Sequence, residues 1–319
     1  MPEIRNRRDS ERAMRRRALD IGATAPVVSV LRRRSKATDA SCLGEDIVPM
    51  ATEKDYIIGM LNKVRGEVDG DRNSGYLHIS SLLTGCVRRI ALAERFKVAP
   101  QPTMVQPSLG LVFAQGNAIH DYVKKQFCIG YKDNMYGEWT CLCGNWRTTP
   151  MVQRDIPQQK CPTCNTLPSE YAELALEDDE HGVVGSPDII LYHRGKGFLY
   201  PVEVKSIESE AFKALVRPKP DHVLQLTFYW YLLRRRDYKV ANKSSILYVT
   251  KGFNYSQPYK EFMISPEDEV DRLLPYLEEA ASLVTARAGG AIPPRKQCSS
   301  IDCTTAKQCP VATICFNLK

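Results

Sequence analysis

Residues 199–207 read Leu-Tyr-Pro-Val-Glu-Val-Lys-Ser-Ile, an apolar run interrupted only by Glu203 and Lys205. In an extended chain, side chains two residues apart project to the same face. The carboxylate and the ammonium therefore stand together. Burying both is costly unless they pair with each other or bind something further. A structural ion pair is the plain reading of an isolated Glu-x-Lys, so the surrounding sequence has to decide.

Fifteen residues upstream stands Asp188, in "GSPDIIL". The segments 183–193 (VVGSPDIILYH) and 197–207 (GFLYPVEVKSI) both read as strands, and Gly195-Lys196-Gly197 between them predicts a tight hairpin. Hairpin pairing brings Asp188 across from Glu203. Two neighbouring carboxylates repel and invite a divalent cation, and hard oxygen donors select Mg²⁺ or Mn²⁺. Such an ion polarises a phosphodiester and lowers the pKa of a bound water. Lys205 is placed to position that water or to offset charge in the transition state.

Outward from this hairpin, helical spacing marks 55–68, 78–96, 108–127 and 220–236, with the second helix starting near Ser80 or Ser81. A further long helix is predicted from Pro266 to Gly289-Gly290, behind a Ser265 cap. Strands are predicted at 171–177, 244–250 and 259–265. Helices, mixed strands, a helix, strands and a final helix make an α/β core around a small central sheet.

The net charge of +7 is concentrated: residues 1–40 hold eleven Lys and Arg against five Asp and Glu. The remainder is close to neutral, so a polyanion would be met by a local groove, with the basic arm adding salt-sensitive attraction. No run approaches the roughly 18 apolar residues of a membrane span, and the Arg-rich start lacks the apolar core of a secretory signal. The expected compartment is the cytoplasm, or the host cytoplasm for a viral protein.

Eleven cysteines without an export signal point to metal rather than disulfides. Cys141-x-Cys143-Gly and Cys161-Pro-x-Cys164 form two knuckles suited to tetrahedral Zn²⁺. Four protein ligands leave no open catalytic position, so that site is expected to be structural or to grip DNA. Cys298, Cys303, Cys309 and Cys315 crowd the C-terminus, while Cys42, Cys86 and Cys128 stand alone.

Asp188 followed by Glu203-x-Lys205 resembles the PD-(D/E)-x-K nuclease superfamily, and Pro187-Asp188 supplies its "PD". Further matches fall in the order found in the RecB-like members. Gly116-x-x-x-His120 looks like their upstream helix motif, Gly185-x-x-Asp188 like their metal-carboxylate motif, and Gln225-x-x-x-Tyr229 like the motif that follows the catalytic lysine. Taken alone, His120 is an ordinary helix histidine and Tyr229 an ordinary core residue. His222, Gln225 and Tyr229 share one helical face. Cys298-x₁₀-Cys309-x₅-Cys315, with Cys86 far upstream, resembles the iron-sulfur nucleases of that group, among them the CRISPR-associated exonucleases and their phage relatives.

The resemblance implies a restriction-endonuclease-like fold with a zinc-ribbon insertion and a [4Fe-4S] cluster. His120, Asp188, Glu203 and the Val204 carbonyl would hold Mg²⁺ or Mn²⁺, with Lys205, Gln225 and Tyr229 completing the site. Cys86, Cys298, Cys309 and Cys315 would hold the cluster. The chain has a fourth C-terminal cysteine, so Cys303 is an alternative to Cys298, and a second zinc site is an alternative to the cluster. The implied organisation is a basic arm (1–50), an N-terminal helical part (51–130), a zinc ribbon (131–168), the nuclease core (169–290) and a cluster segment (291–319). The implied activity is a metal-dependent DNA exonuclease or end-processing nuclease. A catalytically inactive DNA-binding or scaffolding subunit is the alternative. No Gly-x₄-Gly-Lys-[Ser/Thr] motif is present in the sequence, so unwinding would need a helicase or recombination partner.

Overall fold

The computed structural model describes residues 75–98, 107–156, 158–252 and 256–318. The basic arm, the helix expected at 55–68 and Cys42 lie outside the described residues. The strands are β1 (Leu77–His78), β2 (Tyr136–Thr140), β3 (Met151–Val152), β4 (Glu170–Ala172), β5 (Leu176–Asp178), β6 (Val183–Gly185), β7 (Ile189–His193), β8 (Phe198–Ile207), β9 (Ser244–Thr250) and β10 (Tyr259–Ile264). The helices are α1 (Ile79–Thr84), α2 (Val87–Arg95), α3 (Pro107–Tyr131), α4 (Ser209–Ala214), α5 (Pro220–Arg235), α6 (Leu274–Arg287), α7 (Thr304–Lys307) and α8 (Ala312–Asn317).

β8 is the spine of a four-stranded mixed sheet in the order β10-β9-β8-β7. It pairs antiparallel with β7 and parallel with β9. The parallel pair needs a crossover, and α4 and α5 lie in it. On one face Ile190, Leu199, Ile207, Ile246 and Tyr248 pack with Val223, Leu226 and Phe228 of α5. On the other, Ile189, Val202, Val204 and Val249 meet Val123 of α3 together with Met135 and Trp139. The period-2 alternation of β8 divides these two cores: Glu203 and Lys205 share the α5 face, while Val202 and Val204 face α3.

Four expected elements are cut into shorter pieces, each for a local reason. Segment 183–193 is two strands in two sheets, because Pro187 cannot donate to a ladder and ends the pairing. Segment 171–177 likewise divides between β4, which pairs with β2, and β5, which pairs with β6 at the edge of the β1-β6-β5 sheet. The helix expected over 78–96 breaks at Gly85-Cys86, and Cys86 is the extended N-cap of α2 rather than a helix-interior residue. The helix expected from Pro266 runs as a 3₁₀ stretch, Pro266–Leu273, before α6 begins. Pro275 has no N–H for the i−4 bond that would join the two as one α-helix.

Candidate active site

β7 stops pairing where Ile189 meets Val202, whereas β8 runs on to Ile207. The β7-side edge of β8 is therefore open from Glu203 onward, and Asp188, the residue before β7, closes it. Its Oδ2 accepts the Val204 N–H at 2.7 Å. The N–H and C=O of one strand residue leave the same edge. The Val204 carbonyl therefore lies on the Asp188 side as well. Extending the β7–β8 register by one residue sets Asp188 opposite Glu203, the juxtaposition the hairpin reading expected.

α3 covers the opposite face and delivers His120 to this edge, where its Nδ1 lies 3.3 Å from Asp188 Oδ1. Gly116, one turn earlier, explains the close approach: a Cβ there would stand 3.3 Å from Ser206 Oγ. From the α5 face, Lys205 Nζ is 2.6 Å from Glu203 Oε1 and donates to Gln225 Oε1 at 2.9 Å. Gln225 Nε2 in turn donates to the Tyr229 hydroxyl at 2.7 Å. Gly185 lets this helix sit down on β6, since a Cβ there would come within 2.6 Å of the Tyr229 ring.

Glu203 is 2% exposed, and its Oε2 is buried without a hydrogen-bond partner among the described residues. Burial, then the nearby Asp188 carboxylate, pushes its carboxyl up to about 8, with Lys205 only partly opposing them. Burial likewise raises the Tyr229 hydroxyl well above its ordinary value, with Glu203 adding to it. An orphaned buried carboxylate oxygen beside a second carboxylate, a histidine and a strand carbonyl on the same edge is a donor set for a hard divalent cation.

One participant at this site escaped the sequence reading. Glu173 lies close enough to Asp188 for its carboxyl to be raised, chiefly by burial and then by that charge, and it binds Lys124 Nζ at 3.0 Å. The signal available was Lys124 itself, one helical turn after His120.

The β3-β2-β4 sheet carries the two cysteine knuckles between its strands. The ligand atoms of Cys141, Cys143, Cys161 and Cys164 all lie within 4.8 Å of one another. Sulfur–sulfur separations of 3.4 Å for Cys141–Cys143 and 3.7 Å for Cys143–Cys161 are near the ~3.8 Å that a tetrahedral ion with ~2.3 Å metal–sulfur bonds requires. Hydrogen bonds from the Thr166 hydroxyl and backbone hold the Cys164 thiol down to about 6. Trp139, fully buried, anchors this sheet to the α3 side of the core.

A cavity at the C-terminal segment is lined by Cys86, Cys298, Cys309 and Cys315, together with Arg88 and Arg295. Cys303 instead caps α7, its Sγ accepting the Ala306 N–H at 3.4 Å. The buried Arg88 was also missed: it donates to Cys315 Sγ at 3.1 Å and to the Pro293 carbonyl at 2.7 Å, tying α2 to the C-terminal tail. Unlike the first cysteine set, these four do not form a group within 4.8 Å among the described residues.

A family model described as the PD-(D/E)XK nuclease superfamily matches residues 150–316, more than half of the 319 residues. This chain belongs to that superfamily. The matched span holds Asp188, Glu203, Lys205, Gln225, Tyr229 and the C-terminal cysteines, while His120 and Cys86 lie before it. Among solved structures, that of SSO0001 is similar at 15% identity, covering 81% of this chain and 96% of its own, with a TM-score of 0.38. The structure of LHK-Exo in complex with dAMP is similar at 10% identity over 67% of this chain and 89% of its own (TM-score 0.38). That of an alkaline exonuclease, LHK-Exo, from Laribacter hongkongensis is similar at 14% identity over 72% and 98% (TM-score 0.34). No curated protein matches the sequence. No helix among the described residues is long and apolar enough to cross a membrane.

Proposed function

We propose that the protein is a divalent-metal-dependent DNA nuclease that processes or degrades strands from an end. The observation that carries the reading is the buried Glu203 carboxylate, with one oxygen on Lys205 and the other unpartnered, at a strand edge closed by Asp188. A decayed scaffold gains nothing from keeping so costly a group. His120, Asp188, Glu203 and the Val204 carbonyl hold Mg²⁺ or Mn²⁺, which when bound lowers the pKa of water and polarises the phosphodiester.

The chain's own groups do the rest. Lys205, held between Glu203 and Gln225, orients the attacking water and offsets charge on the phosphoryl oxygens. Gln225 fixes the lysine and is itself fixed by Tyr229. The Cys141 set holds structural Zn²⁺. Cys86, Cys298, Cys309 and Cys315 hold a [4Fe-4S] cluster, a reading supported by their wider spacing, since a cluster spreads its ligands farther than a single ion does. Arg88 then offsets thiolate charge at Cys315.

The test is incubation of anaerobically purified protein with 5′-labelled and 3′-labelled, single-stranded and duplex DNA in Mn²⁺, Mg²⁺ or EDTA. Metal-dependent loss of end-labelled DNA is expected. No cleavage of any of these substrates, with either metal, would overturn the proposal.

A further inference from the structure

The face of α5 that carries Gln225 and Tyr229 also carries His222, one turn nearer the helix start, which the reaction described above does not use. Its Nδ1 lies 2.7 Å from the hydroxyl of Tyr248. That hydroxyl already accepts the Lys219 backbone N–H at 2.9 Å. Tyr248 is fully buried, and among the described residues the acceptor that faces its own proton is the imidazole. Nδ1 therefore accepts, and the imidazole proton sits on Nε2.

β9 places this pair beside the reaction. Tyr248 is the register partner of Lys205 across the parallel β8–β9 ladder, so both side chains leave the same face of the sheet, under α5. Among the described residues nothing accepts from Nε2–H, and the ring is only partly buried. Resting on the nuclease reading, we propose that His222 is an uncharged hydrogen-bond donor to a phosphate oxygen of the bound nucleic acid, its tautomer set by Tyr248.

The charged groups facing the ring are Lys205 from β8 and the Lys219 side chain just before α5, and both disfavour a second cation. Together with burial, the largest influence, they hold the imidazole down at about 3. The donor is therefore the same at pH 6 and pH 8. A neutral donor releases no counterion, which separates it from an Arg or Lys contact to the same phosphate.

Two conservative variants separate this role from mere docking of α5. His222→Gln keeps an N–H near the Nε2 position and loses the Nδ1 acceptor. His222→Asn keeps an acceptor for Tyr248 and loses the distal donor. The measurement is the Kd of a fluorescein-labelled single-stranded oligonucleotide in EDTA, by anisotropy, at several salt concentrations and at pH 6 and 8.

His222→Ala and His222→Asn should each raise Kd roughly tenfold, as expected for one hydrogen bond to a charged acceptor. His222→Gln should stay near wild type, and the salt slope should not change in any variant. Wild-type affinity in His222→Ala, or rescue by Asn and not by Gln, overturns the inference while leaving the nuclease reading intact. A wild-type protein that neither binds nor cleaves nucleic acid overturns both.

Discussion

Glu203 and Lys205 stand 2.6 Å apart on one face of β8, the carboxylate sealed from solvent and the ammonium partly open to it. The pair is asymmetric: Lys205 reaches on to Gln225, whereas the second Glu203 oxygen has no hydrogen-bond partner among the described residues. This asymmetry separates the two residues by experiment. Lys205→Ala should lower the cleavage rate by ~10²–10³-fold with little change in Mn²⁺ affinity, and Asp188→Ala should lower both. Rates with labelled DNA and Mn²⁺ titration of each variant check it, and full activity in Asp188→Ala would remove the site.

The Glu203 carboxyl, raised to about 8 by burial and then by Asp188, links stability to pH in metal-free protein. Between its usual value and about 8 the unfolded chain loses the proton and the folded chain keeps it. The stabilisation is complete at pH below about 4.5 and is lost as pH rises through about 8. In EDTA the melting temperature of wild type should therefore fall toward pH 8 by a few degrees relative to Glu203→Gln, whose curve lacks this component. Thermal melts of both proteins from pH 5 to 8.5 decide the matter. Mn²⁺ should oppose the fall by taking the proton's place.

Arg88 and Cys86 join the start of the described chain to its end, so the C-terminal cysteine site closes a loop of more than two hundred residues. Cys86→Ser should strip the iron and colour of anaerobically purified protein and lower its melting temperature. Cys303→Ser, outside the cavity lining, should do neither, and nor should Cys42→Ser or Cys128→Ser. Iron and sulfide analysis of each protein is the measurement. A colourless wild type holding two Zn²⁺ would make the C-terminal site a zinc site.

The +6 carried by residues 1–40, out of a total of +7, predicts a salt-dependent contribution to DNA binding. Deleting residues 1–49 should weaken binding at low salt and flatten the dependence of log Kd on log salt, with turnover at saturating DNA little changed. An unchanged slope would assign the arm to another task.

Local chemistry determined much of this protein. The Pro187-Asp188, Glu203-x-Lys205 and Gln225-x-x-x-Tyr229 spacings, the turn at Gly195-Lys196-Gly197 and the two cysteine knuckles are legible because each depends on residues close in sequence and on a strand or helix period. What the sequence left open depends on contacts between distant segments. Pairing of β4 with β2, and of β6 with β5 on one side and β1 on the other, was hidden because periodicity states which residues alternate and not which strand receives them. The ion pairing of Glu173 with Lys124, the grip of Arg88 on Cys315 and the tautomer of His222 each require a partner 26 to 227 residues away. Only packing the two cores against opposite faces of β8 brings those partners within hydrogen-bonding reach, and only burial makes Glu203 costly enough to signal a ligand.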